Sequence, residues 1–202
     1  MNSTLIQLVF ILSLSFPLGK IIAQDWEFAK EKDGIKVYTR YENESRYKSF
    51  KGETDVQADI AEVSALIEDV KNFDRWDEDV TEIRVIKHDQ GKMIRYYVVY
   101  DIPWPFKDRD LCVEADITTD DASGSQLIQA RSVPDIVPLN DDRVRIVDYR
   151  QKWIIQPEKN GYIRLIVEGF ADPAGDIPAW IINMAIIDTP LNMLSSIRDN
   201  LK

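Results

Sequence analysis

The alternation of apolar and polar side chains predicts strands through most of the chain. Two segments near the start, residues 35–41 and 47–56, alternate with the period of half-buried strands. Six further alternating segments follow one another with short polar or Gly-containing connections: residues 81–88, 93–102, 109–118, 125–133, 144–155 and 162–170. Such a succession predicts an antiparallel meander with one apolar face and one solvated face.

Three other segments have the three-and-four spacing of helices. Residues 60–70 carry a single buried stripe, and Asp59 can cap this helix. A shorter helical piece around residues 72–80 carries Trp76, and the last element, residues 178–201, keeps an apolar stripe throughout. The chain therefore combines a large sheet with a long C-terminal helix.

The two halves of that last helix differ in character. The first half is apolar nearly all round, so we expect it to be enclosed on several sides, whereas the second half is one-sided. Pro190 lacks an amide donor and crowds the preceding turn, which predicts a kink at this position. Asp188 or Thr189 can serve as a local cap beside the kink.

The order of these elements, together with two particular segments, resembles the START lipid-transfer domain. The first segment, Pro-Trp-Pro-Phe-Lys-Asp-Arg-Asp at residues 103–110, lies between two strands. The second, Ala-Asp-Pro-Ala-Gly-Asp-Ile-Pro-Ala-Trp at residues 171–180, leads into the last helix. The resemblance covers residues 25–202, and on it the sequence is identified as a single-domain, bacterial-type member of this family.

The resemblance implies an α+β helix-grip fold, in which a curved antiparallel sheet wraps around a long C-terminal helix. In this family an apolar tunnel between sheet and helix typically holds one lipid. The predicted cavity lining collects inward-alternating strand positions and positions on the helical stripes: Trp76, Tyr96, Val98, Tyr100, Arg109, Leu111, Val113, Trp153, Leu165, Trp180, Met184 and Ile187.

Two of these residues bear on the ligand's chemistry. Tyr96 and Tyr100 could hydrogen-bond a ligand hydroxyl or ester, or they could be ordinary core tyrosines. Sterol-carrying START proteins commonly place a charged pair deep in the tunnel. Here the corresponding positions fall among Tyr96 and Ala115, so the resemblance gives no particular support to a sterol.

The resemblance also places a mobile gate loop near the tunnel mouth, at residues 103–108. Pro103 and Pro105 lack the amide donors that a strand needs, and they frame Trp104 and Phe106, which could meet lipid or membrane. The alternative is a rigid turn whose aromatic side chains complete the core.

Arg109 alternates onto the apolar face, where an unpaired charge is costly. It should therefore meet a carboxylate or a ligand head group. Alternatively it sits at the mouth, partly solvated, and ties the gate loop to an acid such as Asp172 or Asp176. By the same alternation Asp110 points to the other face.

The N-terminal segment predicts export. Residues 5–18 form an apolar run that Pro17 interrupts, and cleavage after Ala23 fits a signal peptide of residues 1–23 followed by a lipid-binding domain of residues 24–202. The run is shorter than the roughly 20 residues of a spanning helix. We expect a periplasmic or secreted protein, with an uncleaved N-terminal membrane anchor as the alternative.

Composition and single residues exclude several function classes. The net charge of −10 without a Lys/Arg-rich run argues against nucleic acid as a partner. His88 is the sole histidine, and Cys112 is the sole cysteine, so the chain forms no internal disulfide and shows no catalytic constellation. No cofactor or metal site is predicted.

The sequence therefore predicts a monomeric, non-enzymatic protein that binds and transfers a lipid or another apolar small molecule, with transient membrane contact. Two alternatives stay open. One is a cavity enzyme, cyclase-like or hydrolase-like, of the same superfamily, and the other is a ligand-sensing module.

Overall fold

The computed structural model describes residues 25–75 and 79–201, so the predicted signal peptide and Trp76 lie outside the described residues. The described strands are β1 (Glu27–Lys32), β2 (Ile35–Tyr41), β3 (Lys48–Gln57), β4 (Val80–Asp89), β5 (Met93–Tyr100), β6 (Arg109–Thr119), β7 (Gln126–Ser132), β8 (Val144–Arg145), β9 (Asp148–Pro157) and β10 (Tyr162–Asp172). The α-helices are α1 (Ile60–Glu68), α2 (Ala179–Ala185) and α3 (Asp188–Asn200). Short 3₁₀ helices occupy Val70–Arg75, Pro134–Ile136 and Lys159–Gly161.

The strands form a sheet in the order β1-β2-β3-β10-β9-β7-β6-β5-β4, and the short β8 runs parallel to β6. The predicted meander is confirmed, because the strands from β4 to β10 pair antiparallel with their successors, apart from β8. The pairing of β10 with β3 then joins the N-terminal strands to the far side of the meander. The sheet is not closed, and β1 and β4 are its edges.

The apolar face of the sheet carries the core, as alternation predicted. Its buried positions include Val98, Leu111, Trp153, Leu165 and Val167. The helix α1 begins after Asp59, whose amide donates to the Glu62 carboxylate at 3.2 Å, and it packs against β9. The predicted α+β class, with a curved antiparallel sheet and helices on its inner face, is confirmed.

The helix α3 lies directly on β2 and β3, where Gly52 leaves it room. A Cβ at Gly52 would stand 2.7 Å from the Pro190 Cβ and 2.9 Å from the Leu194 Cδ1, closer than side chains can approach. Leu191, Leu194 and Ile197 form the buried stripe of α3. Glycine at this position is therefore a packing requirement.

The break in the C-terminal helix precedes Pro190. The helix is interrupted at residues 186–187, and Pro190 is the third residue of α3, where a missing amide donor breaks no intrahelical bond. Residue 186 lies four positions before Pro190, where the proline ring crowds the helix and no amide donor reaches the carbonyl, so the predicted kink is confirmed in the turn that precedes Pro190. The predicted cap was wrong, because the residue at the N-cap position is Ile187 and no side-chain cap bond forms.

The helix α2 is not enclosed, which corrects a second prediction. It contains no buried residue, and Trp180 and Met184 are each 65% exposed. Apolar residues on all sides of a helix indicate that something other than water covers it, but the pattern does not say what. Among the described residues, no helix has the length and apolarity needed to cross a membrane.

The outer face of the sheet is partly covered, so the prediction of a solvated face was incomplete. Tyr97, Val99 and Cys112 form a small second core with Val133 and Val137, which lie in the segment that follows β7. Burial raises the pKa of the Cys112 thiol, which keeps it protonated and inert.

A buried ion pair fixes this second layer. Arg145 on β8 donates two hydrogen bonds of 2.8 Å to the two carboxylate oxygens of Asp110, which points outward as predicted, and the Tyr97 hydroxyl donates a third at 3.0 Å. Burial alone would raise the pKa of Asp110, but the bonds from Arg145 and Tyr97 outweigh it and hold the pKa below its ordinary value.

We expect Asp110→Ala to lower the free energy of unfolding by about 3–5 kcal/mol at pH 7, because it leaves the buried Arg145 charge without a carboxylate. The pKa of Asp110 is lower in the folded protein than in the unfolded chain. Its contribution is therefore complete above the unfolded pKa, roughly 4, and is lost as the pH falls through the folded pKa. Urea unfolding of both proteins at pH 7 and in the acid range measures the difference.

The control variant is Asp55→Ala, which removes the exposed pair between Asp55 and Arg164 at 2.7 Å. This substitution should lower the free energy of unfolding by less than about 1 kcal/mol at pH 7. Two results would contradict a stabilising buried ion pair between Asp110 and Arg145. One is an equal loss of unfolding free energy in the two variants, and the other is a difference in unfolding free energy between wild type and Asp110→Ala that stays the same at acid pH.

Candidate functional site

Arg109, at the start of β6, joins two segments that are far apart in the sequence. The residue is only 3% exposed. Its Nε donates to the Pro173 carbonyl at 3.0 Å, one Nη donates to the Ala174 carbonyl at 2.9 Å, and the other donates to the Lys107 carbonyl. The guanidinium thus ties the gate loop to the segment that leads into α2.

This arrangement resolves the two predictions made for Arg109. Arg109 is a tie between the gate loop and the entry to α2, but it is buried rather than partly solvated, and backbone carbonyls take the place expected for the Asp172 or Asp176 carboxylate. Asp172 instead accepts a hydrogen bond from the Ala174 amide at 2.8 Å. Burial lowers the pKa of Arg109, and nearby negative groups such as Asp108 and Asp176 act in the opposite direction.

Gly175 permits this close approach. Its φ of +64° lies in the left-handed region, and a Cβ there would stand 3.2 Å from an Nη of Arg109. The same segment accepts two further hydrogen bonds, from the Tyr47 hydroxyl to the Ile177 carbonyl at 3.4 Å and from an Arg46 Nη to the Gly175 carbonyl at 3.3 Å.

In α2, Asn183 accepts from the Lys48 amide at 2.9 Å and donates to the Arg46 carbonyl at 3.1 Å. Within the described residues, α2 is hydrogen-bonded to the segment that begins β3 through this one side chain.

The gate loop, and α2 that follows the second segment joined by Arg109, carry exposed apolar side chains. Trp104 is 92% exposed in the gate loop, whereas Trp180 and Met184 project from α2. We call these three residues the apolar rim. Phe106 is half-buried and Pro103 and Pro105 are exposed, but the exposure of Trp104 does not fit a turn whose aromatics complete the core.

Most of the predicted cavity-lining residues lie together on the inner face. Tyr96, Val98, Leu111, Val113, Trp153 and Leu165 are buried there. Tyr100 and Ile187 are partly buried against the same core. Trp180 and Met184 lie apart from this group, on the rim. Contact of any of these residues with a ligand stays a prediction.

A pair of tyrosines forms one polar feature of this apolar face. The hydroxyls of Tyr96 and Tyr149 are hydrogen-bonded to each other. Burial raises the pKa of both well above the ordinary value, so both stay protonated at physiological pH and offer neutral donors and acceptors. Tyr149 was not among the predicted site residues, although the alternation along β9 that places Trp153 inward also places Tyr149 there.

The structure also shows the surroundings of the sole histidine and of the possible metal ligands. His88 is part-exposed and lies 3.3 Å from the Glu68 carboxylate. Within residues 25–75 and 79–201, no group of three or more histidine, cysteine or acidic side chains is arranged to hold a metal ion.

We expect Arg109→Lys to loosen the gate loop and the segment of residues 173–178 together. A lysine keeps the charge but lacks the planar fork that reaches three carbonyls at once. Hydrogen exchange followed by mass spectrometry should show amide exchange about tenfold faster in both segments, because each loses a charge-assisted hydrogen bond. The matched control is Arg164→Lys on the outer face, and faster exchange in only one of the two segments would contradict the tie.

Comparisons with known proteins bear on the same fold and site. The START domain model matches residues 20–200. An uncharacterized protein of Pseudomonas aeruginosa is 33% identical over 181 residues, which cover 89% of this chain and 88% of that protein. The phosphatidylcholine transfer protein of Rattus norvegicus is 27% identical over 166 residues, covering 80% of this chain and 76% of that protein.

A solved structure agrees with these matches. The crystal structure of a STAR-related lipid transfer protein from Xanthomonas axonopodis is 28% identical and superposes with a TM-score of 0.79, covering 87% of this chain and 98% of that one. The family model spans the whole described sheet together with α1, α2 and α3, and so includes both the Arg109 tie and the tyrosine pair. The chain therefore belongs to the START domain family.

Proposed function

We propose that this protein binds a lipid between the inner face of the sheet and the C-terminal helices, and transfers it at a membrane surface through the apolar rim. The observation that carries the proposal is the Arg109 tie, which joins two exposed apolar segments beside a buried apolar face. The names of two relatives, a phosphatidylcholine transfer protein and a STAR-related lipid transfer protein, support the same class of ligand.

The inner face fits a ligand with acyl chains and a neutral polar group. Each methylene removed from water contributes roughly 0.8 kcal/mol, so a dozen methylenes suffice for tight binding. The Tyr96 and Tyr149 hydroxyls can hydrogen-bond an ester or hydroxyl. Arg109 already donates to three carbonyls, so its role is to position the mouth rather than to bind a head group.

The apolar rim supplies the membrane contact. Indole and thioether side chains partition into the interfacial region of a bilayer, where their apolar surface leaves water. The chain carries a net charge of −10, so apolar contact rather than attraction to anionic lipid drives the approach. Insertion of Trp180 and Met184 pulls on α2, and because α2 contains no buried residue, the mouth opens while the rim is in the membrane.

The proposed protein is a monomeric, non-enzymatic carrier in the periplasm or outside the cell. Export rests on the apolar run of residues 5–18. The protonated tyrosine pair provides hydrogen bonds and no general base. Conversion of a bound lipid to a different product during incubation would favour the alternative, a cavity enzyme.

We expect the double variant Trp104→Ser/Trp180→Ser to transfer a fluorescent phospholipid between vesicles at least about tenfold more slowly, because it removes apolar surface from the membrane contact. Native mass spectrometry should still show one bound lipid per protein, since neither side chain belongs to the buried inner face. Leu139→Ser is the matched control, because Leu139 is 75% exposed but lies outside the rim.

Two results would contradict the proposal. One is the absence of any stoichiometric apolar compound from the natively purified protein, together with no binding of fluorescent lipids. The other is an equal loss of transfer in the control variant.

A further inference from the structure

One buried polar atom of the sheet has no hydrogen-bond partner. This atom is the side-chain carbonyl oxygen, Oε1, of Gln126 at the start of β7. Within residues 25–75 and 79–201 it is the one buried side-chain oxygen or nitrogen in this condition. A buried acceptor without a donor is unfavourable, and native proteins keep few of them. The position therefore points to a donor that the described residues do not supply.

Gln126 lies on the same face of the sheet as the proposed lipid. Residues two apart on a strand point to the same face, and Gln126 shares its face with Ile128 and Ala130, both of which are buried. Gln126 also lies directly across from Ile155 on β9, which is fully buried in the main core. Its side chain therefore belongs to the inner face.

The position of Gln126 is at the end of the inner face farthest from the gate loop. Gln126 pairs with Thr119, the last residue of β6, whereas Arg109 begins the same strand beside the gate loop. The ten steps from residue 109 to residue 119 span about 33 Å in an extended strand. The Arg109 tie and the unpartnered oxygen therefore lie at opposite ends of the inner face.

A groove of about 430 Å³ adjoins Gln126. The groove lies between α1 and the hairpin of β4 and β5, and its lining includes Gln126 together with Val85 and Ile94, which face each other's strands on the inner side of the sheet. A volume of this size is within the range of small-molecule sites. Free space is therefore present beside Gln126 for the polar end of a ligand.

The other polar side chains of the groove already have partners or lie in water. Glu68 accepts hydrogen bonds from the Ser64 hydroxyl at 3.1 Å and from the Gly91 amide at 3.0 Å, and its carboxylate lies 3.3 Å from His88. Asp69 accepts from a side-chain amide at 2.7 Å. The remaining polar side chains of the groove are exposed: Lys71 and Gln90. The unpartnered amide oxygen is thus the exception among them.

We propose that Gln126 accepts a hydrogen bond from the head group of the bound lipid, which lies beside the end of α1 while the acyl chains extend towards the gate loop. The inference rests on the proposed function, because it concerns a lipid on the inner face. It names the ligand class as a lipid whose head group carries an N–H or O–H donor, either an ammonium or a hydroxyl. A quaternary ammonium has no such donor, so a lipid with this head group alone leaves Gln126 unpartnered and binds more weakly.

The test loads the purified full-length protein from vesicles that hold equal amounts of two lipids with the same acyl chains, and native mass spectrometry measures the bound ratio. One pair is phosphatidyl-N,N-dimethylethanolamine and phosphatidylcholine, in which a methyl group replaces the N–H. The other pair is a diacylglycerol and its methyl ether. In one of the pairs we expect wild type to prefer the donor lipid about tenfold. The pair that shows the preference identifies the donor as ammonium or hydroxyl.

Two variants test the assignment to Gln126. Gln126→Met keeps the size of the side chain but removes the acceptor, so it should abolish the preference while the total amount of bound lipid stays unchanged. Gln129→Met is the matched control, because Gln129 is exposed on the other face of the same strand, and it should keep the preference. Lipid-free Gln126→Met should also unfold at a higher temperature than lipid-free wild type, since it buries no unpartnered oxygen.

Three results would overturn the inference. The first is equal loading of both lipids of each pair by wild type, which would leave water as the partner of the amide. The second is a preference that survives in Gln126→Met. The third is a lower unfolding temperature of lipid-free Gln126→Met, which would show that the amide has a structural partner. Failure of wild type and both variants to load any lipid would instead contradict the proposed function, and the inference with it.

Discussion

The contact between α3 and β3 at Gly52 is the constraint on which the rest of the structure depends. The ideal Cβ distance of 2.7 Å to Pro190 leaves space only for a hydrogen, so the helix and the strand meet almost backbone to backbone. This close contact buries Leu194 and Ile197 against the sheet. Because it fixes the position of α3 on the sheet, it also constrains the position of α2, which directly precedes α3 in the chain.

The site follows from this placement. Because α3 is seated on β2 and β3, α2 extends past the buried core and carries Trp180 into solvent. Arg109 then joins the entry of α2 to the gate loop through backbone carbonyls, so two exposed apolar segments lie beside each other. In the proposed function, a firmly packed α3 next to α2, which contains no buried residue, would let the mouth open without disturbing the core.

The sequence patterns predicted the meander and most of the inner face, because half-buried strands impose alternation residue by residue. They did not predict β1, whose edge position leaves Phe28 61% exposed and erases the alternation. They predicted the helix break near Pro190 but not how the second part of the helix begins, because the residue at the N-cap position, Ile187, has no side-chain acceptor.

The outer face was the least predictable part. The Asp110–Arg145 pair depends on β8 folding back beside β6, so its two residues form no motif in the sequence. Register alone brings such residues together.

The most direct test of the account is photo-crosslinking with a phospholipid that carries a photoreactive group on its acyl chain, followed by peptide mapping. We predict adducts on the inward residues of β5, β6 and β9 and on the C-terminal helices. Adducts confined to the rim or to the outer face would contradict binding between sheet and helix.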